Sequence, residues 1–176
     1  MDAKKIIETL TSKHGKAIVA TDLEAVDPSV EITAESLLDV CRTLRDDRQL
    51  NMNYLSLVSA VDYCEPDEKK AAKVTWEPHI EVLYHLSSIP GKQRIVVRVK
   101  LPRWIGGKEG ELPELDSVAG LWPTADWHER EVYDLMGIRF KGHPDLRRIL
   151  CPEDWPGHPL RKDYVTPTEY QGIRVK

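Results

Sequence analysis

The residues best equipped for chemistry crowd into one stretch, Trp127 to Tyr164, which reads WHEREVYDLMGIRFKGHPDLRRILCPEDWPGHPLRKDY. His128-Glu129-Arg130-Glu131 starts like a zinc-protease helix. That chemistry needs a second histidine one turn after the first, so that both rings reach one metal, and Val132 occupies the position. His143, Cys151 and His158 could gather with His128 around zinc, but their spacings match no compact ligand set, and each lies beside a proline or in a turn. Iron–sulfur ligation usually takes about four thiolates, often in close runs. Cys41, Cys64 and Cys151 are three and isolated. Glu129, Glu131 and Asp134 could form an acid–base pair. Arg130, Arg139, Arg147 and Arg148 stand beside them and stay charged, which keeps carboxylates ionised rather than poised. A salt-bridge network is therefore the stronger reading. Gly106-Gly107-Lys108 is too short for a phosphate-cradling loop and lacks the strand-to-helix frame. No Ser, Cys and His arrangement suggests a nucleophile. The residues predict no catalytic group, no metal and no cofactor in this chain.

Docking is the chemistry that remains. The stretch holds seven acidic residues and seven basic ones. Their charges cancel, so it is not a patch that attracts a polyanion by bulk field. Arginine with two tryptophans and several prolines is the mix expected of a rigid surface that docks on another protein. A short helix must position its first part. Thr124 after Pro123 is a good N-cap, Asp126 adds negative charge to the first turn, and Gly137 sits where a left-handed C-terminal residue is wanted. Val132, Leu135 and Met136 share a face with Ala125 and form the expected buried stripe. Arg130 and Asp134, one turn apart, are placed to pair on the other side. Beyond Gly137, Pro144, Pro152, Pro156 and Pro159 predict an ordered loop.

The rest of the chain must carry that segment. At 176 residues, one domain with a sizeable core is the expectation. Hydrophobic content of 41% with 31% charged residues is ordinary for a globular protein. A net charge of -4 argues against nucleic acid as the partner. No apolar run approaches the roughly 20 residues of a membrane span. Met1-Asp2-Ala3-Lys4-Lys5 resembles neither a signal peptide nor a mitochondrial presequence, so a cytosolic bacterial product is expected. The three scattered cysteines suit free thiols in a reducing compartment.

Residues 3–14 read as a helix with Ile6, Ile7 and Leu10 on one face. A short strand is expected at Ala17 to Ala20, and Asp22 to Ile32 gives no clear signal. Thr33 should cap a second helix with Ala34, Leu37, Leu38, Cys41 and Leu44 inward. Tyr54 to Asp62, apolar on both faces, reads as a central strand. His79 to Ser87 and Arg94 to Leu101 alternate cleanly and should form an antiparallel hairpin around Ser88-Ile89-Pro90-Gly91-Lys92. Cys64 to Trp76 and Ile105 to Glu111 read as solvated loops, and Leu115 to Leu121 as a short helix. The sum is an α+β fold: a largely antiparallel sheet with two or three helices on one face, then a Pro/Arg-rich ordered segment and an extended C-terminal tail. Three stretches follow from this: 1–122, the α+β domain; 123–164, the dense segment packed on it; and 165–176, the tail.

The run Glu129-Arg130-Glu131, Tyr133-Asp134-Leu135-Met136-Gly137, Gly142-His143-Pro144-Asp145-Leu146-Arg147-Arg148-Ile149-Leu150, Pro152-Glu153-Asp154-Trp155 and Gly157-His158-Pro159-Leu160-Arg161-Lys162-Asp163-Tyr164 resembles the signature of the C subunit (30 kDa type) of proton-pumping NADH-quinone oxidoreductase, respiratory complex I. It covers about a fifth of the chain without a gap. The resemblance implies a cofactor-free structural subunit in the peripheral arm, on the cytoplasmic side of the membrane. There the holoenzyme uses FMN, iron–sulfur clusters and quinone to pass electrons from NADH to quinone, coupled to proton translocation. The resemblance also implies two neighbours: the larger D subunit, which helps form the quinone pocket, and the B subunit, which holds the last cluster. Candidate interface residues are Glu129, Arg130, Glu131, Asp134, Arg139, His143, Arg147, Arg148, Trp155, His158, Arg161, Lys162, Asp163 and Tyr164. Similar subunits serve ferredoxin-dependent quinone reductases and energy-converting membrane-bound hydrogenases, which the chain does not distinguish. A stand-alone metal-binding enzyme ranks below both. Removing Arg147 or Arg148 is expected to impair assembly more than chemistry.

Overall fold

The computed structural model describes residues 3–175. α1 (Ala3–His14) buries Ile6, Ile7 and Leu10, the stripe its spacing predicts. β1 (Ile18–Asp22) and β2 (Ser29–Ile32) follow. α2 (Leu37–Asp46) buries Leu37, Val40, Cys41 and Leu44. Then come β3 (Tyr54–Tyr63), a one-turn α3 (Glu68–Ala71), β4 (His79–Ser88), β5 (Gln93–Leu101) and β6 (Glu114–Asp116). α4 (Ala125–Met136), β7 (Arg139–Lys141), β8 (Glu169–Tyr170) and β9 (Ile173–Arg174) complete the chain.

Five strands form the main sheet in the order β1-β2-β5-β4-β3. All neighbours are antiparallel except β2 and β5. Alternation decides which face is buried. Ile80, Val82, Tyr84 and Leu86 of β4 turn inward beside Ile95, Val97, Val99 and Leu101 of β5. α1, α2 and α4 close over them in one core, through Leu10, Val40, Leu44, Val132 and Met136 among others. The α+β reading stands, with three helices on the sheet. The opposite face is more polar. On it Arg98 and Lys100 bracket the carboxylates of Glu31 and Glu81, which they shield from water.

Several local expectations change. β3 ends the sheet rather than lying at its centre. Its two apolar faces are one face in the core and one left open, where Leu57 and Val61 are 39% and 40% exposed. The unassigned stretch before Thr33 contains β2, with Val30 and Ile32 in the core. Thr33 does not cap α2: residues 34–36 form a turn of 3-10 helix first, and the Thr33 hydroxyl bonds Ser36 Oγ. The expected helix from Leu115 to Leu121 is instead β6, parallel to β7, followed by one turn closed on the Val118 carbonyl. Leu115, Val118, Ala119 and Leu121 have helical spacing, but Ser117 N–H is drawn to the Lys141 carbonyl. The loop after Cys64 contains α3, capped by the Asp67 carboxylate on Lys69 N–H. The tail is extended and folds back on itself as the β8–β9 ladder through Gln171 and Gly172, both at positive φ.

Candidate functional site

α4 is the hub of the dense segment, and each end is held differently. Thr124 precedes it but makes no side-chain cap; its hydroxyl donates to the Leu55 carbonyl of β3. Gly137 ends it in the left-handed region at φ 67°. A Cβ there would collide with the His158 ring, so glycine is required twice over. Ala125, Val132 and Met136 are buried as the stripe predicts, while Leu135 is half-buried.

Glu129 and Asp134 point inward, not to a cleft. Both are fully buried. Glu129 takes the Ser117 hydroxyl at 2.5 Å and Val118 N–H at 2.7 Å, tying α4 to the strand-and-turn before it. Burial pushes this carboxyl up to about 7, against the pull of those two bonds. Asp134 accepts N–H groups from Ile149, Leu150 and Cys151 at 3.0, 2.7 and 2.9 Å, and Arg148 Nη1 at 2.8 Å. Burial alone would raise Asp134; the three amides and the guanidinium outweigh it and hold the carboxyl below its usual value. A single side chain thereby folds the proline-rich loop onto the helix.

The C-terminal half repeats the device with cations. Arg148 also donates to the Gly157 carbonyl at 2.8 Å. His158 Nδ1 donates to the Asp134 carbonyl at 2.9 Å, and burial lowers its pKa. Arg161 donates to the carbonyls of Met136, Gly137 and Arg103 at 2.8, 3.1 and 2.9 Å. It thus satisfies the open carbonyls that every helix C-terminus leaves. Its guanidinium lies 3.7 Å from the Trp104 ring centroid, and burial pushes its pKa down to about 10. Arg103 grips Asp62 of β3 through two bonds of 2.8 and 2.9 Å and reaches Asp163 at 2.7 Å. Lys162 N–H also meets Asp62. Trp155 Nε1 donates to Tyr164 Oη at 2.9 Å, and the Trp155 ring packs on Tyr170.

The expected network among Glu129, Glu131, Asp134 and the arginines forms only in part. Arg148 pairs with Asp134, whereas Arg130 does not. Arg130 is buried, donates to the Arg147 carbonyl and stacks on Trp127 at 5.0 Å. Its register on α4 allowed a pair with Asp134, but the loop amides and Arg148 occupy that carboxylate. Arg147 pairs with Asp145 and Arg139 with Glu114, both on the surface. His143 lies at the N-terminal end of α4: Nδ1 accepts Asp145 N–H, so Nε2 carries the hydrogen and gives it to the Asp126 carbonyl. His158 lies at the other end, so the histidines do not gather. Among the described residues, no group of three or more His, Cys, Asp or Glu could hold a metal ion.

The candidate residues therefore divide. Glu129, Arg130, Asp134, His143, Arg148, Trp155, His158, Arg161 and Tyr164 are wholly or half-buried and hold the segment on its own domain. Glu131, Arg139, Arg147, Lys162 and Asp163 are exposed to another surface, with Asp163 bonded to Arg103, Arg139 to Glu114 and Arg147 to Asp145. Sequence reasoning missed Asp62, Arg103, Trp104 and Ser117. Their partners lie tens of residues away in some cases, and no local pattern marks them.

The family model of the respiratory-chain NADH dehydrogenase 30 Kd subunit matches residues 30–170. The NADH-quinone oxidoreductase C subunit of Roseiflexus sp. (strain RS-1) is 41% identical over 163 residues, covering 93% of this chain and 84% of the relative. Its counterpart from Chlorobium phaeobacteroides is 41% identical over 169 residues, with 96% and 92% covered. That from Moorella thermoacetica is 45% identical over 147 residues, with 83% and 86% covered. Among solved structures, the fold matches a chain of an archaeal respiratory membrane complex, the membrane-bound sulfane sulfur reductase, with a TM-score of 0.70 and 21% identity over 94% of this chain and 86% of that one. The interlocked helix and loop thus lie inside the matched region, and the chain belongs to the family of the respiratory-chain NADH dehydrogenase 30 Kd subunit.

Proposed function

We propose that this chain is a structural subunit of a proton-translocating NADH-quinone oxidoreductase and holds no redox group itself. The carrying observation is the direction of the chemistry-bearing side chains. Asp134, Arg148 and Arg161 spend their bonds on the chain's own backbone, and Glu129 is sealed from solvent. What remains outward is a stiff, charge-balanced surface. The thiols fit this role. Cys41 lies in the core, and Cys64 and Cys151 are half-buried and far from each other in the sequence. No helix among the described residues is long and apolar enough to cross a membrane, which suits a peripheral position. In this reading the chain packs against the D and B subunits on the cytoplasmic side of a bacterial membrane. FMN, the iron–sulfur clusters and the quinone site belong to other subunits.

Purifying the complex from native membranes through a tag on this chain tests the reading. The expected preparation contains the D and B subunits and oxidises NADH with quinone. A chain recovered alone, with bound metal or colour, would contradict it. A second reading places the same subunit in a ferredoxin-dependent quinone reductase or an energy-converting hydrogenase, because the fold recurs in another kind of respiratory membrane complex. A preparation that carries the D and B subunits but accepts electrons only from ferredoxin would favour that reading.

A further inference from the structure

We propose that the edge of β3 between Leu57 and Ala60 receives an extended, alternately apolar segment bearing a lysine or arginine, supplied by another subunit of the complex. The inference rests on the subunit reading above and locates one of its contacts. β3 is a ten-residue strand at the end of the sheet. A bare edge offers unpaired backbone groups to any extended chain, and proteins usually guard such edges with charge, proline or a bulge. β3 contains no proline, and its one charged residue, Asp62, is buried against Arg103. A bulge at Ser56 is the one guard within it. One end is closed from outside by Thr124 on the Leu55 carbonyl, and at the other the Lys162 N–H bonds the Asp62 carboxylate. Between them a groove of about 110 Å³ runs between the strand and α4, lined in part by Leu57, Ala60, Leu135, Met136 and Leu160.

That groove is dressed for a partner. Leu160, which lines it, is 58% exposed. Trp127, one turn before Glu131 on α4, is 64% exposed and extends the apolar surface. Among the described residues, Glu131 is the one charged side chain lining the groove, and it forms no ion pair there. A segment covering it would strip water from that carboxylate, which is costly without a cation opposite. An added strand would meet the edge with main-chain bonds, the groove with alternate apolar side chains and Glu131 with its basic residue.

Hydrogen–deuterium exchange on the full-length chain, free and in the purified complex, tests this. The amides of residues 57–60 that point away from β4 should exchange at least about tenfold more slowly in the complex. Equal rates in the two states, fast or slow, would overturn the proposal. So would a free chain that is already dimeric and protected there, since a second copy would then own the edge. Glu131→Lys should leave the melting of the free chain unchanged and lower its recovery in the complex several-fold, and full recovery would overturn the charge match. A chain that never co-purifies with other subunits defeats the subunit reading itself. An unprotected edge inside an intact complex defeats only this proposal.

Discussion

Glu129 has no access to water; a hydroxyl and an amide bond it, and the His143 ring nitrogen lies 4.0 Å away. Its carboxyl, raised from 4.5 to about 7, favours the fold when protonated. That contribution is fully present below the unfolded value and is lost as pH rises through the folded one. It amounts to roughly 3 kcal/mol at most. Glu129→Gln cannot ionise, so urea unfolding at about pH 5 and about pH 8 should show a smaller fall in stability than in the parent chain. The same fall in both chains would contradict this account of Glu129. Asp134 has the opposite sign: its lowered carboxyl stabilises at higher pH and loses that effect on acidification. The sequence showed that both carboxylates sit among arginines. It did not show which would find one, because Arg148 reaches Asp134 from fourteen residues away and Ser117 meets Glu129 from another element.

At the scale of elements, α4 was legible at both ends because Pro123, Thr124 and Gly137 punctuate it locally. The β4–β5 hairpin was legible because strict alternation and a turn sequence both mark it. β6 and β7 were not, since a parallel pair is joined through space and each has three residues. Nor was the edge position of β3, because an apolar strand reads alike whether its second face meets a helix or lies bare. Gly137→Ala tests how α4 is stopped. It places a Cβ at positive φ and against the His158 ring. The expected cost is about 2 kcal/mol or more in thermal unfolding, from backbone strain and displacement of the ring together. Unchanged stability would show that neither the left-handed turn nor the close approach of His158 matters.

Across the whole molecule, the dense segment does two jobs with neighbouring residues. Arg148 is bound inward to Asp134 and Gly157, so Arg148→Ala should destabilise the free chain by roughly 2–3 kcal/mol in urea unfolding. Arg147 points outward with Asp145, so Arg147→Ala should leave the free chain's unfolding unchanged. Equal losses for the two would contradict the division between holding and docking residues. In the reading proposed above, this surface assembles a redox complex without touching its chemistry. The direct test is to replace Arg147 by Ala in cells and measure both the amount of assembled complex and its NADH-quinone turnover per complex. Less complex with unchanged turnover per complex is the predicted result. A normal amount of complex that has lost turnover would contradict it.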